Sequence, residues 1–209
     1  MQYIREPINS ITHFIGMAAA ILGFPFLMLK GDNWLQWTAL TVFALGLIGL
    51  YATSSIYHGL KKSHTVLERW RLADHIMIYV LIAASYTPIC LLALEGILGI
   101  VLLSVIWTLT ILGIVAKVLW RNMPRKLYTA LYVLLGWAAV GAIYPLYLSV
   151  GGIGILFLVL GGLSYTIGAI IYGKKPSFSF LKFGFHEVFH LFILLGSAFH
   201  FFMIYQYVL

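Results

Sequence analysis

The residues in this chain whose types and spacing suggest chemistry are histidines. Phe185-His186-Glu187-Val188-Phe189-His190 opens the last apolar stretch, and its two histidines, four apart, fall on one face of a helix, near enough to share a metal ion. His58 closes the second apolar stretch, with Ser54 one turn before it on the same face, and Asp74 opens the third. Three neutral imidazoles suit a borderline-soft divalent ion, and three protein ligands plus water is the coordination of a catalytic zinc. His58, His186 and His190 are therefore the candidate ligands of a Zn2+ ion. Asp74 is the candidate for holding or activating a water, and Ser54 for hydrogen bonding beside it. A lone histidine between helices is most simply a hydrogen-bonded polar residue. The argument for a metal rests on the set, delivered by separate segments to one shallow layer.

HEVFH also matches the HExxH pattern of zinc proteases, in which the glutamate is the general base and a further ligand comes from downstream. Only nineteen residues follow His190 and none is acidic, so the partners that chemistry needs are missing. Glu187 is then a supporting or headgroup-level residue. His200, ten residues past His190, lies about 15 Å further along a straight helix and suits an interhelical hydrogen bond instead. His75 points about 100° away from Asp74 round the helix and is read as packing or facing headgroups. His64 falls in a basic loop and is read as solvated. Glu6, Asn9 and His13 either support the site or cap the first helix.

The elements that must carry these residues are membrane helices. The 209 residues are 62% hydrophobic and 9% charged, with a mean hydropathy of +1.00, far from a soluble domain with about a quarter of its residues charged. Seven apolar segments can be drawn, at 11–29, 36–60, 73–94, 97–120, 127–148, 151–172 and 184–207, each near the ~20 residues that cross the hydrocarbon core. The first is longer than the apolar region of a signal peptide and is read as a helix. Pro88 and Pro145 are expected to kink their helices, and recurrent small residues such as Gly161 and Gly196 to allow close helix approach. The fold expected is all-α, one seven-transmembrane bundle over residues 1–209.

The net charge of +7 would suit nucleic acid in a soluble protein, but here its placement sets topology. With the N-terminus cytoplasmic and the C-terminus extracytoplasmic, 12 of the 13 lysines and arginines lie inside and only Lys30 outside. The chain is thus expected in the plasma membrane with the candidate metal site near the cytoplasmic face, membrane lipids as partners and no nucleic acid. Cys90, the only cysteine, sits in an apolar run, which excludes a disulfide framework and a thiolate metal site.

With Ser54-x-x-x-His58, Asp74 and His186-x-x-x-His190-x5-Gly196-x3-His200 in place, the chain resembles the hemolysin III branch of the PAQR family over essentially its whole length. Glu6-Pro7-Ile8-Asn9-Ser10-Ile11-Thr12-His13 resembles the family's first motif. The resemblance implies seven helices, a cytoplasmic N-terminus and zinc held by His58, His186 and His190, with Ser54 and Asp74 close by. It is similar to that of the adiponectin receptors, and the wider superfamily includes alkaline ceramidases. This implies a zinc-dependent hydrolase of lipid amide, ceramide-like or other acyl bonds in membrane lipid and energy homeostasis. Two alternatives accompany it, a sensor in which zinc is structural and a pore-forming cytolysin, as the hemolysin label implies.

Overall fold

The computed structural model describes residues 4–94, 96–177 and 183–209, and every regular element among them is helical. Glu95 and Lys182, which enter the segment and charge readings above, lie outside the described residues. The helices are α1 (Pro7–Lys30), α2 (Trp34–Gly59), α3 (His64–Pro88), α4 (Ile97–Leu119), α5 (Arg125–Gly136), α6 (Ile143–Lys174) and α7 (Phe185–Met203). Six helical runs are long and apolar enough to cross a membrane, because α5 and α6 count together as one run from Arg125 to Lys174.

That run of 50 residues would be about 75 Å long if straight, against about 30 Å of hydrocarbon. It is not straight. Gly151 has φ 69° and ψ 176°, a conformation that glycine alone adopts readily. Contacts on either side pair in antiparallel order: Trp137 Nε1 donates to Thr166 Oγ1 at 2.8 Å, and the Tyr128 and Tyr172 hydroxyls are 3.0 Å apart. The chain therefore doubles back at Gly151, at the break between the fifth and sixth apolar segments.

The two proline expectations differ in outcome. Pro88 ends α3 and is followed by a π-helical turn at Ile89–Ala93. Pro145 lies near the start of α6, just after a 3-10 stretch at Trp137–Ala142, so the irregularity precedes the proline. The third helix also starts earlier than the apolar pattern indicates. It begins at His64, and Arg69 and Arg71, outside the 73–94 segment, are helical rather than flanking. Hydropathy marks only the part of a helix that meets hydrocarbon, whereas the helix itself continues into the polar layer.

Burial runs opposite to that of a soluble domain. Phe14, Leu22, Phe26, Leu29, Ile97 and Leu112 point outward, while Asn9, His13, Ser54, His58 and His190 are buried. Apolar side chains facing out and histidines facing in are what a lipid environment selects. The core between helices holds Phe43, Tyr51, Tyr79, Ile106, Leu146 and Met203. Gly161 lets α6 meet α7, since a Cβ there would lie 2.2 Å from Cδ2 of His200.

Candidate metal centre

His58 reaches the site from the last turn of α2, His186 and His190 from the first two turns of α7. One nitrogen from each lies within 4.8 Å of the other two, so the three could hold a single metal ion. His58 and His190 are buried and His186 is half-buried. The shortest approach, His58 Nε2 to His186 Nε2, is 3.3 Å. Two imidazole nitrogens bound at about 2.0–2.1 Å to one tetrahedral ion lie about 3.3–3.4 Å apart. The same contact serves as an N–H···N hydrogen bond when His186 carries its proton on Nε2, so the donor set fits an ion without being distorted for one.

The ring orientations are set from the first segment of the chain. His58 Nδ1 lies 2.5 Å from Oε2 of Glu6, and a carboxylate accepts, so the ring proton sits on Nδ1 and the Nε2 lone pair faces the centre. Glu6 is itself anchored: its backbone N–H donates to His58 O at 3.0 Å, and Arg5 Nε pairs with its Oε1 at 3.2 Å. The hydrogen bond from His58, with the nearby Arg5 charge, holds the Glu6 carboxyl down at about 2 from the ordinary 4.5, against the opposing effect of partial burial. Glu6 thus stays ionised at neutral pH and keeps its hold on the ligand. On the other side, the Thr12 hydroxyl donates to the carbonyl of Ile8 at 2.9 Å, so its oxygen faces His190 Nδ1, 3.5 Å away, as an acceptor. That places the His190 proton on Nδ1 and directs Nε2 inward.

Asp74 of α3 lines the same cavity as Ser54 and His58 of α2 and the two histidines of α7, and its Oδ2 lies 3.7 Å from Nδ1 of the adjacent His75. The five residues singled out by type and spacing are therefore brought together. Of the supporting candidates, Glu6 is the partner of His58, and Asn9 donates to Glu187 Oε1 at 3.0 Å. Glu187 also accepts from the Gly184 N–H at 2.9 Å, fixing the first turn of α7. His13 stacks on His190 with ring centroids 3.7 Å apart. The first helix has no side-chain cap at its N-terminus, so Glu6 acts toward His58, not as a cap.

The remaining histidines are placed elsewhere. His200 bonds through Nε2 to Leu158 O of α6 at 3.4 Å, the interhelical contact expected of it. His75 is buried, donating from Nδ1 to Arg71 O at 2.6 Å, and does not face the centre. His64 is 91% exposed on the first residue of α3, not in a loop. The centre opens into a cavity of about 400 Å³ that continues between the helices past Tyr86 and Trp137 to Tyr165 and His200. Its walls beyond the histidines are largely apolar. Sequence reasoning did not anticipate the cations at its mouth, Arg71 and Arg125, because spacing along one helix carries no sign of a contact between α3 and α5.

Fold and site together define a multi-pass helical membrane protein with a metal-competent histidine triad at one end of an internal cavity. The family model that matches is described as Haemolysin-III related and covers residues 1–201. The chain belongs to this family. It is 38% identical to the Hemolysin-3 homolog of Bacillus subtilis (strain 168), over 96% of this chain and 93% of that one. It is 39% identical to Hemolysin-3 of Bacillus cereus, over 100% and 94%. It is also similar to the human monocyte to macrophage differentiation factor, at 28% identity over 95% of this chain and 82% of the relative.

Proposed function

We propose that this protein is a zinc-dependent hydrolase of lipid amide or related acyl bonds, acting in membrane lipid homeostasis. The observation that carries the reading is the convergence of His58, His186 and His190 beside the Asp74 carboxylate, at the head of a largely apolar cavity. Zinc held there supplies Lewis acidity toward the scissile carbonyl and lowers the pKa of water toward about 7. Asp74 takes the proton of the attacking water and returns it to the leaving nitrogen or oxygen. Ser54, facing Asp74, gives its one hydroxyl proton to that carboxylate and orients it until Asp74 is protonated, when the hydroxyl is free to turn toward the developing oxyanion. Glu6 and Thr12 hold two of the imidazoles in the required tautomer, and the cavity takes the acyl chain.

In this reading the chain crosses the plasma membrane seven times, with the N-terminus and the centre on the cytoplasmic side. The reversal at Gly151 and the distribution of lysine and arginine support that topology. The test is turnover of candidate lipids by purified protein. Asp74→Ala should lower the rate about 100-fold or more while metal content is unchanged. Turnover that survives removal of zinc, or that is indifferent to Asp74, overturns the assignment.

One observation favours a second reading. The three histidines tie α2 to α7 while Glu6 and Thr12 tie the first segment to both, so an ion would be a staple between distant parts of the chain. As a purely structural ion it predicts that His190→Ala lowers thermal stability while no lipid is consumed by either form.

A further inference from the structure

Cations from three helices surround the metal end of the cavity: Arg71 of α3 and Arg125 of α5 on its lining, and Lys117 of α4 against the ring of the lining residue Tyr128. Lys117 is only 6% exposed, with its Nζ 4.2 Å above the ring of Tyr128. The Arg125 guanidinium lies 4.5 Å above the ring of Tyr172 and donates to Tyr172 O at 3.4 Å. Because the two tyrosine hydroxyls are 3.0 Å apart, the tyrosines hold these two cations as neighbours. His75 links the three positions: its Nδ1 donates to Arg71 O at 2.6 Å, and its Nε2 lies 3.3 and 3.4 Å from the hydroxyls of the two tyrosines that carry Lys117 and Arg125.

Asp74 lines the same cavity, but among the described residues the one carboxylate within ion-pair distance of these cations is Glu68. His75 Nδ1–H is committed to Arg71 O, so its Nε2 accepts from one tyrosine hydroxyl while the other donates to its neighbour's hydroxyl oxygen, and both hydroxyl protons are committed. Glu68 takes Arg71 Nη2 at 2.6 Å from the exposed edge of the cluster. Among the described residues, Lys117 and Arg125 have no carboxylate within ion-pair distance. Lys61, Lys62, Lys174 and Lys175 are exposed, as cations in a headgroup layer should be. Lys117 and Arg125 are not, and like charges held on tyrosine faces at low dielectric repel unless an anion joins them.

We propose that Arg71, Lys117 and Arg125 form a phosphate site at the mouth of the cavity, taking the phosphate of an anionic lipid whose acyl chain enters the cavity. Two guanidiniums on the lining offer forked donors to the oxygens of a phosphomonoester, and the Lys117 charge on Tyr128 adds to the positive field that favours its dianion over a carboxylate. An apolar cavity directly behind them suits a lipid over a free ion, and basic pockets between membrane helices take phosphorylated head groups. The site goes beyond the hydrolase reading and stands whether or not the metal centre turns over.

Binding is measured on the purified, metal-loaded protein in zwitterionic nanodiscs, with lysophosphatidic acid, lysophosphatidylcholine of the same chain length and inorganic phosphate as probes. Lysophosphatidic acid should bind at least about tenfold more tightly than either of the others. Arg125→Gln and Arg71→Gln should each weaken it about tenfold with metal content retained, whereas a Lys61→Gln, Lys62→Gln pair should leave it unchanged. Lys117→Met, which keeps the buried stem, gives a further variant if Arg125→Gln does not fold. Equal binding of the two lysolipids, or an equal loss in the Lys61, Lys62 variant, overturns the site. Inorganic phosphate binding as tightly as the lysolipid assigns the cations to a free ion and overturns the lipid.

Discussion

At the scale of single residues, the centre depends on a carboxylate that coordinates nothing. Glu6 sits one residue before α1, yet it fixes the tautomer of His58, 52 positions away. Removing such a partner typically costs 10–100-fold in metal affinity. Glu6→Gln should therefore weaken metal binding about 10–100-fold in competition with a chelator, while His58→Ala abolishes binding by the triad. The sign of the Glu6 shift adds a pH expectation. A carboxyl titrating at about 2 in the fold and about 4.5 when free contributes its stabilisation fully above 4.5 and loses it as pH falls toward 2. The triad itself could be read from the sequence, because the spacing of His186 and His190 fixes a face and His58 ends a span at the same depth. Glu6 could not be placed so firmly. A polar residue ahead of a helix normally caps it, and only the pairing of its backbone with His58 O and of Arg5 with Gly59 O directs it elsewhere.

At the scale of elements, the close approach of α6 and α7 has a sharp dependence on one residue. A methyl group at Gly161 would press into the His200 ring, which also carries the bond to Leu158 O, so Gly161→Ala should destabilise the bundle by about 1–3 kcal/mol. Gly136 has nothing within 4 Å of a Cβ, and Gly136→Ala should change stability by no more than about 0.5 kcal/mol. Reversible unfolding in mixed micelles distinguishes the two. Apolar patterning locates the helices well, since lipid imposes a simple length rule, and the break at Gly151 is marked by its paired glycines. It does not reveal the π-helical turn after Pro88 or the 3-10 stretch before Pro145, where the Tyr86 hydroxyl of α3 donates to Gly136 O and accepts from the Ala139 N–H, each at 2.8 Å.

At the scale of the whole molecule, the number of crossings has a direct test. Cys90 is buried, so cysteines introduced singly report their own side of the membrane. If the chain crosses twice between Arg125 and Lys174, then Asn122→Cys and Lys174→Cys should react with a membrane-impermeant maleimide from the same side, and Gly152→Cys from the other. A single crossing puts Asn122 and Lys174 on opposite sides. In intact cells only Asp32→Cys and Gly152→Cys of this set should label if the N-terminus is cytoplasmic. Lysine and arginine give an expected orientation because the translocation rule acts on sequence, and this labelling tests it. The gathering of Arg71, Lys117 and Arg125 could not be read from sequence, since it depends on how α3, α4 and α5 pack.

The triad also spans time during synthesis. His58 and His186 are 128 residues apart in the chain, a separation that takes on the order of ten seconds to translate. Until α7 docks, His58 has Glu6 beside it but neither of its fellow ligands. With an ion on the triad, metal retention would report completed insertion, and mutations far from the centre that delay docking of the final helix should register first as metal-free protein soon after synthesis.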